Sequence, residues 1–216
     1  MKRTTLVVAL VCAAANAATA QIIRPTVVSR PAGWTSLAIG WTRQQAICDP
    51  VTDACWNFAD APQYRGSLEL PMGDAGAWGI AVTSSRVPMV WAGSTSPNSC
   101  ALCDANVSIT QYLGTIRLGA GSASGFQQIV ELGAGATQFA DFRTAAGSPL
   151  GTGKAVTDFS FAVSYGFGYT VQSRLQLFLV QEYAVIIHKR QTGSPNNSAQ
   201  QQTFRVGARL GLGDRR

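Results

Sequence analysis

Cysteines are the first residues in this 216-residue chain whose type and spacing can do chemistry. Four of them follow an N-terminal segment with the features of an export signal: Cys48, Cys55, Cys100 and Cys103. An even cysteine count in an exported chain predicts disulfides. We favour the pairs Cys48–Cys55 and Cys100–Cys103, with pairing between the two loops as the alternative. Four thiolates can instead bind zinc, and Cys-x-x-Cys also occurs in redox proteins. We predict disulfides, with no metal and no cofactor.

The only histidine, His188, is the second candidate for chemistry. In a lipid-modifying enzyme it would serve as a base, with Glu182 on the same face of its strand. Nucleophilic catalysis needs a nucleophile within hydrogen-bond reach of that base, and no serine lies beside His188 on this strand. Lys189 and Arg190 follow it directly, which is typical of a solvated strand end. We therefore predict no catalytic residue.

Charged side chains form a third group, because seven of them share the polar parity of the strands described below. They are Arg65, Glu69, Arg117, Glu131, Glu182, Arg205 and Arg209. If those strands close into a barrel with apolar residues outside, these groups converge inside it. Buried charges are tolerated when they are paired and hydrogen-bonded, so we predict an interior network that plugs the lumen. The alternative is that several of them lie solvated at the rims.

The stretch from residue 159 to 171 shows most clearly which elements position these groups. Every second residue is apolar, from Phe159 through Tyr165 to Val171, and the residues between them are Ser, Ala, Gly or Thr. A period of two is typical of a β-strand with two different faces. The stretch is longer than an ordinary strand of about five or six residues. It is also long enough to span a bilayer, which takes about 9–11 residues for a tilted strand.

The same pattern predicts eight antiparallel strands in all. They cover residues 35–45, 63–71, 78–91, 107–119, 127–142, 159–171, 175–188 and 202–212. The connections alternate between long and short, and the long ones are 46–62, 92–105, 144–154 and 191–200. Outer-membrane barrels combine long extracellular loops with short periplasmic turns in this way.

Composition and the N-terminus limit the class of protein. Residues 1–20 combine Lys2 and Arg3, a short apolar run and a small-residue cleavage site, which predicts a signal peptide. Residues 21–33 then form a short periplasmic lead-in, and 34–216 the barrel domain. Charged residues make up 13% of the chain, about half the usual quarter, which is low for a soluble surface. The scattered basic residues and the export signal exclude nucleic acid as a partner.

The period of two does not by itself decide which face points outward. A soluble lipocalin-like barrel would place the aromatic residues inside, around an apolar ligand. The polar faces contain little Lys or Glu, and an eight-stranded interior has little room for bulky rings, so we expect the apolar face in lipid. Trp34 is placed one residue before the first strand. Trp78 and Trp91 can mark the two membrane interfaces, with a bulge at Pro88 explaining their different parities, or they are ordinary strand-end aromatics.

Glycine-containing apolar strands carry a resemblance to a known family. Leu132-Gly-Ala-Gly-Ala136, Tyr165-Gly-Phe-Gly-Tyr169 and Val206-Gly-Ala-Arg-Leu-Gly-Leu212 resemble the small eight-stranded outer-membrane barrels, which include the opacity proteins and the membrane domain of OmpA. The resemblance implies an all-β, closed, antiparallel, eight-stranded transmembrane up-and-down barrel. One departure is the C-terminus, which continues past Leu212 into Gly-Asp-Arg-Arg instead of ending on an aromatic residue.

These observations predict a non-enzymatic barrel in the cell outer membrane of a Gram-negative-type cell. We expect a structural or surface-interaction role, with outer-membrane lipid and lipopolysaccharide around the barrel. An external ligand or envelope partner would bind the loops 46–62, 92–105, 144–154 and 191–200. The alternatives are a lipid-modifying enzyme that uses His188 and a soluble barrel that binds an apolar ligand.

Overall fold

A computed structural model describes residues 30–48, 55–92, 102–119, 124–150, 154–188 and 197–214. The predicted signal peptide, most of the lead-in, Cys100 and much of the long loops lie outside these residues.

The described residues form ten strands, which are β1 (Gly33–Gln44), β2 (Ile47–Cys48), β3 (Cys55–Phe58), β4 (Ala61–Met72), β5 (Gly76–Ala92), β6 (Leu102–Leu118), β7 (Gly125–Thr144), β8 (Val156–Gln172), β9 (Leu175–His188) and β10 (Asn197–Leu212). Eight of them, β1 and β4 to β10, form the barrel wall, and each pairs antiparallel with its neighbours. Pairing of β5 with β6, and of β1 with β10, closes the sheet. The predicted eight-stranded antiparallel barrel is therefore confirmed.

The segment predicted as one long loop, 46–62, contains regular structure. β2 and β3 form a hairpin, and β3 pairs with the part of β5 that extends beyond β4. This pairing satisfies the backbone groups at the end of β5, which is why a polar segment without clear alternation still forms strands. β6 and β10 also begin earlier than predicted, at Leu102 and Asn197, and β1 begins at Gly33, so Trp34 lies within β1.

Pro88 does not mark a bulge. β5 pairs with β6 in one continuous register from Gly76 to Ala92, and the strand alternates through Pro88. The Pro88 carbonyl accepts a hydrogen bond from the Ala59 amide, at the junction between β3 and β4. In a strand, the amide nitrogen and the carbonyl of one residue point to the same side. The side on which Pro88 lacks an N–H donor is therefore the side of the junction between β3 and β4, where the ladder is interrupted.

A bulge lies instead in β7, at Asp141. Between the pairs Ser108↔Ala140 and Asn106↔Arg143, β7 contains one residue more than β6. Asp141, in this interval, has a positive φ of 53°. The extra residue changes the parity of β7, so Phe139 and Phe142 both point inward.

The outer surface is an apolar band between two sets of exposed ions. At the loop end, where the long connections lie, the ions are Arg43, Asp60, Arg86, Asp141 and Arg143. At the turn end they are Arg30, Asp74, Arg174 and Asp214. In the described chain, no charged side chain points outward between these sets. The twelve-residue interval from Asp74 to Arg86 corresponds to about 30 Å along the normal, close to the thickness of a bilayer core.

Large apolar side chains on this band are exposed along every strand of the barrel wall, as for Leu37, Leu68, Phe161 and Leu179. The alternative of a soluble barrel with its aromatic stripe inside is therefore wrong. Among the described residues, no helix is long and apolar enough to span a bilayer.

Candidate functional site

The seven charged residues predicted to converge all lie in the barrel interior, with at most 4% of each exposed. They come from five strands: Arg65 and Glu69 from β4, Arg117 from β6, Glu131 from β7, Glu182 from β9, and Arg205 and Arg209 from β10. We call this group the charge layer. It lies in the half of the lumen nearer the turn end.

Glu131 is the carboxylate that most arginines of the charge layer share. Arg117 donates to its Oε2 from Nε at 2.9 Å and from Nη2 at 2.7 Å. Arg65 donates to Oε1 from the opposite side of the barrel, and Arg205 Nη2 lies 3.9 Å from the same oxygen. Glu131 of β7 therefore contacts arginines from three other strands: β6 beside it, and β4 and β10 across the lumen.

The other two carboxylates complete the layer. Glu182 accepts from Arg65 Nη1 at 3.1 Å and from the Ser164 hydroxyl at 3.2 Å, with Arg205 Nη1 at 2.7 Å. Glu69 accepts hydrogen bonds from Arg209 Nε at 2.9 Å and from Ser67 Oγ at 2.8 Å, and Arg117 Nη1 lies 3.5 Å from its Oε1. Each carboxylate thus contacts at least two guanidinium groups.

Aromatic rings also lie inside this half of the lumen, contrary to the expectation that eight strands leave them little room. The guanidinium of Arg209 lies 4.0 Å from the ring centroid of Trp34, and that of Arg117 lies 5.1 Å from Phe178. A glycine makes the room: a Cβ on Gly207 would lie 2.6 Å from Phe178 Cζ. Inward-facing glycines were the sequence signal for these rings.

An uncharged polar layer lies next to the charge layer, towards the loop end. Gln111 is its centre, since it accepts from Thr83 Oγ1 at 3.1 Å and donates to Thr137 Oγ1 at 3.2 Å and Gln201 Oε1 at 2.7 Å. Gln201 in turn donates to Thr42 Oγ1 at 2.8 Å. These residues share the inward parity of the charged ones, so the same periodicity argument identifies them.

Trp56 of β3 organises the loop end of the lumen. Its ring lies 5.8 Å from Trp91, 5.9 Å from Phe139, 4.9 Å from Phe142 and 5.4 Å from His188, measured between centroids. We call these five residues, with the buried aliphatic side chains around them, the aromatic cap. Its rings come from four strands, β3, β5, β7 and β9.

Trp91 was expected to be a candidate for the membrane interface, and this is wrong. It is 9% exposed, whereas Trp78 is 51% exposed and points outward. The strict alternation of β5 places the two residues on opposite faces, because their separation is an odd number.

The Cys48–Cys55 disulfide closes the β2–β3 hairpin that carries Trp56, in agreement with the favoured pairing. Cys103 is also in a disulfide, and its expected partner Cys100 lies outside the described residues. The first pair is therefore not available as zinc ligands. In the part of the chain that is described, no three His, Cys, Asp or Glu side chains are grouped as metal ligands.

His188 lies beside Trp56 on the lumen side of β9. Its Nδ1 lies 2.6 Å from Asp158 Oδ2, and Asp158 is buried. Glu182, which shares the parity of His188, belongs to the charge layer, and the acidic partner of His188 is Asp158 on the neighbouring strand β8. Only the pairing register of β8 with β9 makes this contact predictable.

At the loop end of the outer surface, Asp141 lies between two arginines. Hydrogen bonds from Arg86 and from Arg143 hold the pKa of this carboxyl below its ordinary value. Arg86 also donates to Ser108 Oγ at 2.9 Å, and Arg143 donates to the Gly147 carbonyl at 3.2 Å. The triad fixes the bulge of β7 at the edge of the apolar band.

No family model and no curated protein matches this sequence. Among solved structures, Neisserial surface protein A is similar over 84% of this chain and 97% of its own, with 12% identity and a TM-score of 0.54. The outer membrane protein OprG from Pseudomonas aeruginosa is similar over 84% of this chain and 97% of its own, with 13% identity and a TM-score of 0.48. Ail, the attachment invasion locus protein of Yersinia pestis, is similar over 82% of this chain and 99% of its own, with 13% identity and a TM-score of 0.42.

The likeness to the Neisserial protein shows the fold. Together with the closed barrel and its apolar band, it defines the chain as a small eight-stranded transmembrane up-and-down barrel. This confirms the resemblance stated from the sequence at the level of fold.

Proposed function

We propose that this protein resides in the outer membrane and has a structural or surface-interaction role, without enzymatic chemistry. The observation that carries the proposal is the separation of charge between the two faces of the wall. Seven ions lie buried inside, whereas the outer band between the two exposed ion sets is apolar. A bilayer is the environment in which this arrangement is stable, because it removes the exposed apolar rows from water.

The lumen supports a closed barrel rather than a pore. The charge layer, the polar layer and the aromatic cap follow one another along it, and the side chains of each come from several strands. Eight strands enclose an interior only wide enough for side chains to fill. Function would then depend on the four loops, through an external ligand or an envelope partner.

The loop-end ions support contact with lipopolysaccharide. Arg86 and Arg143 lie at the edge of the apolar band, where the phosphate groups of the outer leaflet would meet them. Guanidinium groups bind phosphate through paired hydrogen bonds. Asp141 holds both arginines at this height of the barrel.

Two measurements test the proposal. On SDS gels, the detergent-extracted protein should migrate faster before boiling than after it, as a closed resistant barrel does. In planar bilayers it should give no long-lived channel. Recovery in the soluble fraction without a heat shift would overturn the membrane assignment, and a stable open channel would overturn the closed lumen.

The orientation can be tested on intact cells. Trypsin should cleave after Lys154 in the third long loop and leave Arg174, in a short turn at the other end, uncut. Lysed cells provide the control, because Arg174 then becomes accessible to the protease. Cleavage of intact cells at Arg174 but not at Lys154 would reverse the proposed topology.

The contact between His188 and Asp158 supports a second candidate, a lipid-modifying enzyme. A carboxylate that orients an imidazole is one part of a Ser/His/acid set. The pair faces the lumen beside Trp56, whereas lipid would lie outside the wall, and this disfavours the candidate. A His188→Ala variant that folds normally and loses a lipid hydrolase or acyltransferase activity of the native protein would support it.

A further inference from the structure

The charge layer contains one more positive than negative group. Its four guanidiniums face three carboxylates, and among the described residues the only other buried charged side chain is Asp158. Asp158 is bonded to His188, and it lies six residues along β8 from Ser164, which contacts Glu182. That separation is about 20 Å, too far to neutralise the layer directly. The charge layer itself therefore carries one positive charge that no carboxylate within it balances.

The carboxylates cannot satisfy every arginine. An arginine carries five N–H donors and a carboxylate offers about four acceptor sites, so roughly twenty donors face roughly twelve sites. Glu69, Glu131 and Glu182 each already contact two or three guanidiniums. The layer is therefore rich in donors as well as in positive charge.

One donor of the layer stands apart from the others. Arg205 Nε is buried and has no hydrogen-bond partner. Arg117 Nη1 makes no hydrogen bond either, but it lies 3.5 Å from Glu69 Oε1. Arg65, in contrast, donates to both Glu131 and Glu182. Because Arg117 and Arg205 both contact Glu131, their positive charges lie in the same layer.

We propose that the lumen binds one small monovalent anion, chloride in ordinary buffer, at Arg205. The anion would neutralise the surplus charge of the layer and accept a hydrogen bond from Arg205 Nε, and a buried charge and a buried donor are both costly to leave without a partner. The filled lumen excludes large anions. This site depends on the closed lumen proposed above but not on any role of the loops, so the two proposals fail separately.

Crystals of the detergent-solubilised protein grown in sodium bromide give a direct test, because bromide replaces chloride and scatters anomalously. We expect one anomalous peak inside the barrel, within hydrogen-bond distance of Arg205. Bromide found only on the surface, or a lumen without an anomalous peak, would overturn the proposal. Wild-type protein suffices for this experiment.

Unfolding from lipid vesicles at constant sodium tests the same site in solution. With chloride replacing gluconate, the unfolding equilibrium constant should fall about tenfold for each tenfold rise in chloride above the dissociation constant. Arg205→Gln removes the surplus charge and should abolish this dependence. Arg86→Gln, at the exposed loop end, should retain it. Loss of the dependence in both variants, or in neither, would indicate general screening and overturn a specific site.

Discussion

The charge layer and the aromatic cap lie inside the same barrel and are assembled by different means. In the charge layer, side chains from five strands meet because strict alternation points them inward, and paired ions satisfy one another. In the cap, the rings meet because a hairpin, a bulge and an extended strand bring Trp56, Phe142 and Trp91 over the mouth. A regular wall thus supports a network of ions, whereas the rings at its end meet through departures from regularity.

This difference predicts different responses to damage. The charge layer is linked across the lumen, so the loss of one member should weaken the whole barrel. The cap contains a separate hairpin that is closed by its own disulfide, so the loss of the cap should open one end of the barrel and leave the wall intact.

Glu131→Ala should have the largest effect. It removes the partner of Arg65, Arg117 and Arg205 together and leaves their charges buried, which we expect to cost about 3–5 kcal/mol. The free energy of unfolding from lipid vesicles in urea measures it. Asp60→Ala, which breaks an exposed pair with Arg43, is the matched control and should cost about 0–1 kcal/mol. Equal losses in the two variants would contradict the central role of Glu131.

Trp56→Ala should follow, with a loss of about 2–3 kcal/mol because four ring contacts disappear. Hydrogen exchange should accelerate at cap amides such as those of Met89 and Val107. Amides beside the charge layer should keep their protection. Trp41→Ala, on the outward face, should leave the cap amides unchanged. Uniform acceleration along the wall would show that the cap is not a separate unit.

Replacing Cys48 and Cys55 together with Ser should destabilise the hairpin by about 2 kcal/mol, because a short closed loop is released in the unfolded state. Amide exchange in β2 and β3 should accelerate, while the faster gel band of unboiled protein persists. Loss of that band would mean that the hairpin supports the entire barrel.

Gly40→Ala should have a smaller effect on the charge layer. The new Cβ would lie 2.6 Å from the Phe204 carbonyl oxygen and 2.7 Å from Arg205 Cγ, so β1 and β10 must separate slightly. We expect a cost of about 1–2 kcal/mol in vesicle unfolding. Gly66→Ala is the control, since its Cβ would meet no atom closer than 3.8 Å. A neutral Gly40→Ala would show that Arg205 is not tightly placed.

Asp141→Asn should have the smallest effect, and it should depend on pH. The pKa of Asp141 is lowered on folding, so its carboxylate contributes stability that is present at neutral pH. That contribution is lost as the pH falls through the lowered pKa, below the ordinary 3.8. Asparagine keeps the positive φ accessible. The difference in unfolding free energy between wild type and variant should therefore shrink from pH 7 to pH 3. A difference that grows in acid would contradict the assignment.

Much of the wall could be predicted from the sequence, because a period of two needs no knowledge of distant contacts. The alternation that placed Phe161 outside also placed Glu131 and Arg205 inside. The cap could not be predicted, since β3 is short and lacks alternation, and its pairing with β5 depends on where β4 ends. The extra residue at Asp141 reversed parity without a sequence signal. The contact of His188 with Asp158 required the register of β8 and β9.

Oxygen accessibility of a spin label, scanned through residues 159–171 in lipid vesicles, tests the orientation of the two faces most directly. We expect a period of two, with maxima at outward positions such as Phe161, Tyr165 and Tyr169 and minima at the residues between them. Maxima at Ser160, Ser164 and Gly168, or an accessibility without any period, would contradict a barrel whose apolar face meets lipid and whose ions lie within.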